Sequence, residues 1–357
     1  MRKVLKPGEL LNREYLYKLP SDDFRASHQR FIELQNTDHP LVGVYRHSIY
    51  PMAEFIRFLD DGEVKPEDIN SDDWIDVYDD NFIQTGLMWG DLILWASPLN
   101  GFPWLEAILG CPIFVSHDSN SVWAEQSTKF TLGDEIVFDP TNPWLYKLLE
   151  ATKALVECSD GRFPVASGIM RGISDLIVAL LGSTQFYLAL YDSPEKLFQL
   201  AESLADFWVW VVSEQYSAIP PFANGYVNAG LWTPGTCPVY QEDAAALISA
   251  KHFEQIIGIH SRRVLNSFEF PILHLHSDGL QIVDSFLCME KLPVIEINID
   301  PAGPEPGALI PIFKRIQQKA PLEIFGTAEE IYLCLEKLHY DGLACLILES
   351  SLEEFNG

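Results

Sequence analysis

Between Phe270 and Gly279 the chain reads Phe-Pro-Ile-Leu-His-Leu-His-Ser-Asp-Gly, which sets His274, His276 and Asp278 at intervals of two. On a strand, residues so spaced leave one face together. Two imidazoles and a carboxylate converging at a strand end can bind a metal or move protons. For His276 with Asp278 two arrangements are open: a pair of metal ligands, or a base and the carboxylate that orients it. His274, deeper in the strand, reads as a hydrogen-bonded core residue.

The elements that must hold these groups can be read from the apolar pattern. Short apolar or β-branched runs at 41–45, 112–115, 163–166, 226–229, 272–276, 294–299, 322–325 and 343–348 have the composition of buried parallel strands. Helical patterns fill the intervals at 174–190, 194–216, 241–250, 252–265, 308–319 and 328–338. Eight strands alternating with helices predict a (β/α)8 TIM barrel of the α/β class. The first hundred residues carry one strand run and are otherwise aromatic and acidic, with Trp74, Tyr78, Trp89 and Trp95, so they predict helices and loops covering one barrel end. No repeat or linker interrupts the chain, and residues 1–357 read as one domain. A doubly wound sheet is the rival architecture, but no Gly-x-Gly-x-x-Gly follows any strand.

In such a barrel, active sites are built from strand C-terminal ends and the loops after them. That selects Arg46, His117 with Asp118, Arg171, Asn228, His276 with Asp278, Asn298 with Asp300, Thr327 and Glu349. The strand bodies between them read as almost wholly apolar. Arg46 and Arg171 suit bidentate binding of a carboxylate or phosphate, or equally a structural ion pair in so acidic a chain. Asp300 precedes Pro301 and also suits a turn, as does His117-Asp118-Ser119-Asn120.

Composition narrows the class. Fifty-one acidic residues against 24 lysines and arginines give a net charge of −27, which repels phosphate backbones and anionic lipids, so neither nucleic acid nor membrane is an expected partner. Six scattered cysteines without a Cys-x-x-Cys pair indicate neither a disulfide framework nor a zinc ribbon. With no apolar segment behind the basic N-terminus and none long enough to span a bilayer, a cytoplasmic location is expected. Cys334 and Cys345 read as buried and unreactive, and Phe207 to Trp210 as helix core. No Gly-x-Ser-x-Gly elbow, Walker loop or His-Glu-x-x-His stretch is present.

Several stretches in order resemble the uroporphyrinogen decarboxylase superfamily, which includes cobalamin-linked methyltransferases. They are Trp104-Leu-Glu-Ala-Ile-Leu-Gly-Cys-Pro112, Gly168-Ile-Met-Arg-Gly-Ile-Ser-Asp175 running into Leu181-Gly182, Tyr191-Asp-Ser-Pro-Glu195, His276-Ser-Asp-Gly279 and Asn298-Ile-Asp-Pro301. The resemblance covers most of the chain and implies the same barrel. True decarboxylases carry two arginines on the first strand; here Arg46 matches one and Tyr50 stands at the other, which leaves few cations for a porphyrinogen. In the thiol-activating methyltransferases, a His-x-Cys and a later Cys hold zinc. The resemblance puts His276 at the histidine, Asp278 at the first cysteine and Glu349 at the second, a harder ligand set open to zinc, manganese or iron. A metal-free site, with His276 and Asp278 on substrate or pterin, is the alternative.

The expectation is therefore a methyltransferase working between a small substrate or a methyl-corrinoid carrier protein and an acceptor such as tetrahydrofolate. His276, Asp278 and Glu349 form its centre, Arg46 and Arg171 orient an anionic group, and His117, Asn228, Asn298 and Asp300 contact substrate. A cofactor-free decarboxylase of a porphyrinogen or smaller acid, and a non-catalytic corrinoid or tetrapyrrole binder, are the alternatives. A homodimer is the expected assembly where the chain is not a monomer.

Overall fold

The computed structural model describes residues 6–11, 16, 24–35, 39–45, 55–85, 88–348 and 351, with 81–85 and 88–89 as backbone only. Arg46, Tyr50 and Glu349 lie outside the described residues. Seven parallel strands form the central sheet: β1 (Leu41–Tyr45), β2 (Ile169–Arg171), β3 (Val239–Gln241), β4 (Ile272–His276), β5 (Val294–Asn298), β6 (Leu322–Gly326) and β7 (Leu343–Leu348), in the order β1-β7-β6-β5-β4-β3-β2. The fold is TIM-barrel-like. Between the outer strands, segment 91–96 hydrogen-bonds both ways: Asp91 N donates to Val42 O (2.8 Å), Ala96 N to Pro164 O (3.0 Å) and Ala166 N to Ala96 O (2.7 Å). Its second partner, 164–166, precedes β2 and lies outside the ladder, so the described residues form a seven-stranded sheet and not a closed barrel.

Five of the eight predicted strands take their places in this sheet, and three do not. Ile113–Ser116 instead pairs antiparallel with Gly62–Val64 and Ser121–Ala124. Its residues alternate buried and half-buried, the signature of a one-sided strand, which a four-residue run conceals. The 163–166 run makes only the Ala96–Val165 bridge, and the ladder resumes at β2, past Gly168 at φ 78°. Tyr226–Asn228 folds back on Leu231–Thr233 as a hairpin whose turn residues, Ala229 and Gly230, have φ of 49° and 75°. The barrel strand is β3 instead, entered from Pro238.

Strand residues divide cleanly between two apolar clusters. Leu41, Val239, Ile272, Val294 and Ala344 pack together inside the sheet's curve. Their chain neighbours Val42, Tyr240, Leu273, Ile295 and Cys345 join the larger core shared with the helices. Period-two alternation thus fixes which residues face inward, and His274, Glu296 and Gln241 follow two positions after inward residues. Outside lie α1 (Pro143–Ser159), α2 (Ile173–Leu181), α3 (Ser183–Asp192), α4 (Pro194–Tyr216), α5 (Ile259–Asn266), α6 (Pro306–Gln317) and α7 (Ala328–Lys337). The predicted helix over 174–190 is two helices bent by 108°, because Gly182 adopts φ 77° with Gln126 against it. The predicted helix over 241–250 is a short 3₁₀ turn, Ala244–Leu247, since β3 takes its first residue.

Phe207 and Trp208 of α4 are wholly buried, as core residues of a helix should be. In the N-terminal region, Trp74 and Tyr78 are buried and the Tyr78 hydroxyl donates to Ser97 O (2.5 Å), tying that region to the segment entering the site. All six cysteines are free, and burial pushes the thiols of Cys111, Cys237 and Cys334 up to about 12, away from reactivity. No single helix among the described residues is long and apolar enough to cross a membrane.

Candidate functional site

At the C-terminal ends of the strands lies a cavity of about 130 Å³. Tyr45, Trp95 and Phe325 give it aromatic walls, while Asn100, Asn228, His274, Glu296 and Asn298 supply polar groups. Tyr45 and Phe325 meet edge to face with centroids 5.0 Å apart. Two or three aromatics with a few fixed polar groups suit a small ligand held in one orientation.

His276 ends β4 and does not itself line the cavity, but it touches two residues that do, His274 (Nε2 to Nε2, 3.4 Å) and Asn298 (Nδ2 to His276 Nδ1, 3.4 Å). His276 Nδ1 lies 2.6 Å from Asp300 Oδ1. The same carboxylate accepts from Asn298 Nδ2 (3.0 Å), Ser277 N (2.9 Å) and Ser277 Oγ (2.9 Å). Burial tends to raise the Asp300 pKa, but the bonds from His276 and Ser277 outweigh it and hold the carboxyl below its ordinary range. An ionised carboxylate only accepts, so Nδ1 of His276 must carry the hydrogen and Nε2 is left as the acceptor. That Nε2 is 3.4 Å from His274 Nε2 and 3.6 Å from Asp243 Oδ1.

Asp243 is held by what lies beneath it. Asp175, at the start of α2, accepts from Asp243 N (3.1 Å) and Ala244 N (2.8 Å), while Gln241 Nε2 donates to Asp243 Oδ2. The neighbouring Glu242 is fully buried among Ser174, Tyr240 and Ser261, all of which donate to it. Burial raises the pKa of both Asp175 and Glu242, and for Asp175 the charges of Asp243 and Glu242 add to the shift. These contacts fix the loop after β3 and with it one side of His276.

The predicted site residues have different fates. His276, Asn298 and Asp300 come together, and Asn228 lines the cavity, though it comes from the hairpin, where its Nδ2 donates to Ser167 Oγ (3.3 Å). Asp278 does not join them. The strand ends at His276, Gly279 N closes a turn on His276 O (3.0 Å), and Asp278 is exposed. In register His276 pairs with Asn298, so the next inward position across the strands is Asp300, which takes the place expected of Asp278.

Arg171 is engaged by Glu106, with Nε 3.3 Å from Oε1, and is not among the cavity-lining residues. Burial raises the Glu106 carboxyl while the Arg171 charge opposes the shift. His117 sits on the antiparallel sheet, where its Nε2 faces the carbonyls of Ile56 (3.1 Å) and Leu59 (2.9 Å), and it does not reach the cavity. Thr327 caps α7, its side chain accepting from Glu330 N (3.4 Å). Arg46 and Glu349 fall outside the described residues.

Among the described residues no group of three His, Cys, Asp or Glu side chains is arranged to hold a metal ion. Of the two expected ligands among the described residues, His276 stands at the site and Asp278 is exposed.

Sequence reasoning missed Asp243, Glu296, Glu323 and the role of His274. His274 is buried as expected, yet it lines the cavity and sits 3.2 Å from Glu296 Oε1. Burial lowers its pKa, but Glu296 and the more distant Asp243 and Asp300 raise it further, for a net upward shift. A signal was available: Glu296 and Glu323 are single acids inside the apolar runs Val-Ile-Glu-Ile and Leu-Glu-Ile-Phe, contrary to strand bodies read as apolar.

No protein-family model matches the chain, and no curated protein does. Among solved structures it is similar to a methyltransferase from Methanosarcina mazei, with a TM-score of 0.61 at 15% identity over 89% of this chain and 94% of that one. The likeness is one of fold alone.

Proposed function

We propose that this chain is a methyltransferase of the uroporphyrinogen decarboxylase superfamily, moving a methyl group from a methyl-corrinoid, free or on a carrier protein, to a small acceptor or to tetrahydrofolate. The observation that carries the reading is the His276–Asp300 pair beside an aromatic-walled cavity at the strand C-terminal ends, in a fold shared with a methyltransferase. The donor keeps the electron pair of the breaking bond, and the acceptor's heteroatom forms the new bond to the methyl carbon. The proton the acceptor gives up passes to His276 Nε2, and Asp300 stabilises the imidazolium. Tyr45, Trp95 and Phe325 exclude water from the reacting carbon, and Asn228 and Asn298 orient the acceptor. No step is routed through a metal, because the described residues do not assemble a ligand set.

The charge around His276 favours this reading over decarboxylation of a porphyrinogen. Asp243, Glu296 and Asp300 surround the imidazoles, and Arg171 is engaged by Glu106, so a polycarboxylate would meet repulsion. The test is to mix the protein with methylcob(III)alamin and tetrahydrofolate, or with cob(I)alamin and methyltetrahydrofolate, and follow the visible spectrum of the corrinoid. Conversion by the native protein, lost in His276→Ala, is expected. No conversion in any combination, with carbon dioxide released from a porphyrinogen or smaller acid, would overturn the reading in favour of a decarboxylase.

A further inference from the structure

The interior of the sheet holds two acids that the proposed reaction does not use, Glu296, which lines the cavity, and Glu323, which does not. Glu296 on β5 and Glu323 on β6 are register partners on adjacent parallel strands, so their side chains leave the same face about 5 Å apart at the backbone. Glu323 has no exposed surface and Glu296 has 6%. Both carboxyl oxygens of Glu323, and Oε2 of Glu296, are buried without a hydrogen-bond partner among the described residues.

Two carboxylates cannot both stay ionised at that separation out of water, and three orphaned oxygens in one place are rare in a folded core. One hydrogen removes the conflict of charge and pairs two of the three oxygens. Placed on Glu323 and donated to Glu296 Oε2, it satisfies an atom on each side and leaves a single negative charge. Oε1 of Glu296 lies 3.2 Å from His274 Nδ1, where a charged imidazole partner suits that remaining charge. His274 Nε2 then donates across 3.4 Å to His276 Nε2, the acceptor that Asp300 leaves it, a long bond of the resting site that gives way when Nε2 takes the acceptor's proton.

We infer that Glu296 and Glu323 share one proton, and that this buried pair positions His276 by keeping His274 a charged donor to it. Among the described residues, Tyr45 from β1 and His274 from β4 face Glu296 and Cys345 of β7 faces Glu323, while Asp243 from the loop after β3, His276 and Asp300 face His274. Among the described residues His274 is the one cation in that set. The upward shift of the Glu323 carboxyl, from burial first and the Glu296 charge second, agrees with the geometry. The inference does not depend on methyl transfer: the two fail in different experiments, one in a corrinoid assay and the other in a measurement of protonation.

The experiment compares the full-length native protein with Glu323→Gln at neutral pH, in H2O and D2O, by infrared spectroscopy in the carbonyl-stretch region of protonated carboxyls. The difference spectrum isolates Glu323 from any other carboxyl that absorbs there. A deuterium-sensitive band present in the native protein and missing from the variant is expected; its absence from the difference spectrum overturns the inference. Nitrogen-15 shifts of the histidine rings supply the second measurement. The His274 titration should be unmoved in Glu323→Gln and fall in Glu296→Gln; a fall in Glu323→Gln would show that Glu323 is an anion and also overturn it. Glu323→Leu serves the same two comparisons if the amide variant does not fold.

Discussion

Asp300 Oδ1 lies 2.6 Å from His276 Nδ1 although 24 positions separate the two residues, and this contact decides which nitrogen of the imidazole carries its hydrogen. The exposed Asp278, two residues from His276, plays no part in it. Replacing Asp300 by Asn removes the acceptor charge and allows the opposite tautomer. Turnover should then fall by about 10²-fold or more, while Asp278→Asn leaves it unchanged. Steady-state rates of the two variants in the corrinoid assay check this, and equal losses would return the role to Asp278.

His28 offers a pH dependence remote from the site. It is wholly buried, accepting from Trp232 N at Nδ1 (2.8 Å) and facing Asp91 O at Nε2 (2.7 Å), and burial pushes its pKa down from 6.5 to about 4 despite the Asp91 carbonyl. Between those values the unfolded chain binds more protons than the folded one. The contribution of about 3 kcal/mol is therefore full above pH 6.5 and is lost as pH falls toward 4. Urea unfolding across that range should show the slope in the native protein and a flatter one in His28→Gln, which keeps both hydrogen bonds without titrating.

Arg171 should matter for stability more than for turnover. Arg171→Gln leaves the buried Glu106 carboxylate without its cation, a loss of about 1–3 kcal/mol once the 43% exposure of the Arg171 side chain is allowed for. Denaturant midpoints should drop while turnover per folded molecule stays within about twofold, the range expected when no transition-state contact is removed. A large loss of turnover with unchanged stability would place Arg171 on the substrate.

Gly172 is where the chain leaves β2 for α2, and a Cβ there would stand 2.1 Å from Gln241 O and 2.8 Å from the Glu242 carboxyl carbon. Its φ of −83° is ordinary, so the obstacle is space and not backbone strain. Gly172→Ala should cost about 1–3 kcal/mol by overpacking and shift the Glu242 network. Thermal unfolding measures the loss, and a neutral result would mean that β3 can move aside.

How much of this was legible can be judged residue by residue. Strands β1, β4, β5 and β7 follow from apolar runs of five or six residues, and α4 begins and ends where the Asp-Ser-Pro-Glu start and the apolar spacing put it. Four-residue runs are ambiguous: 322–325 became β6 while 112–115, 163–166 and 226–229 did not join the sheet, and nothing within four residues says whether the partner strand runs parallel or antiparallel. His276 was legible as a strand-end imidazole; its carboxylate partner was not, because proximity in sequence favoured Asp278.

By itself, the sequence determined the alternating strands and helices, the acid-rich character, and the placing of His276, Asn298 and Asp300 beyond apolar strands, since each depends on local pattern. Only the tertiary structure decided that Asp300 replaces Asp278, that Glu296 meets Glu323, and that Arg171 and His117 turn to structural partners. These follow from strand register and from where a turn begins, which are settled by hydrogen bonds between segments far apart in the chain.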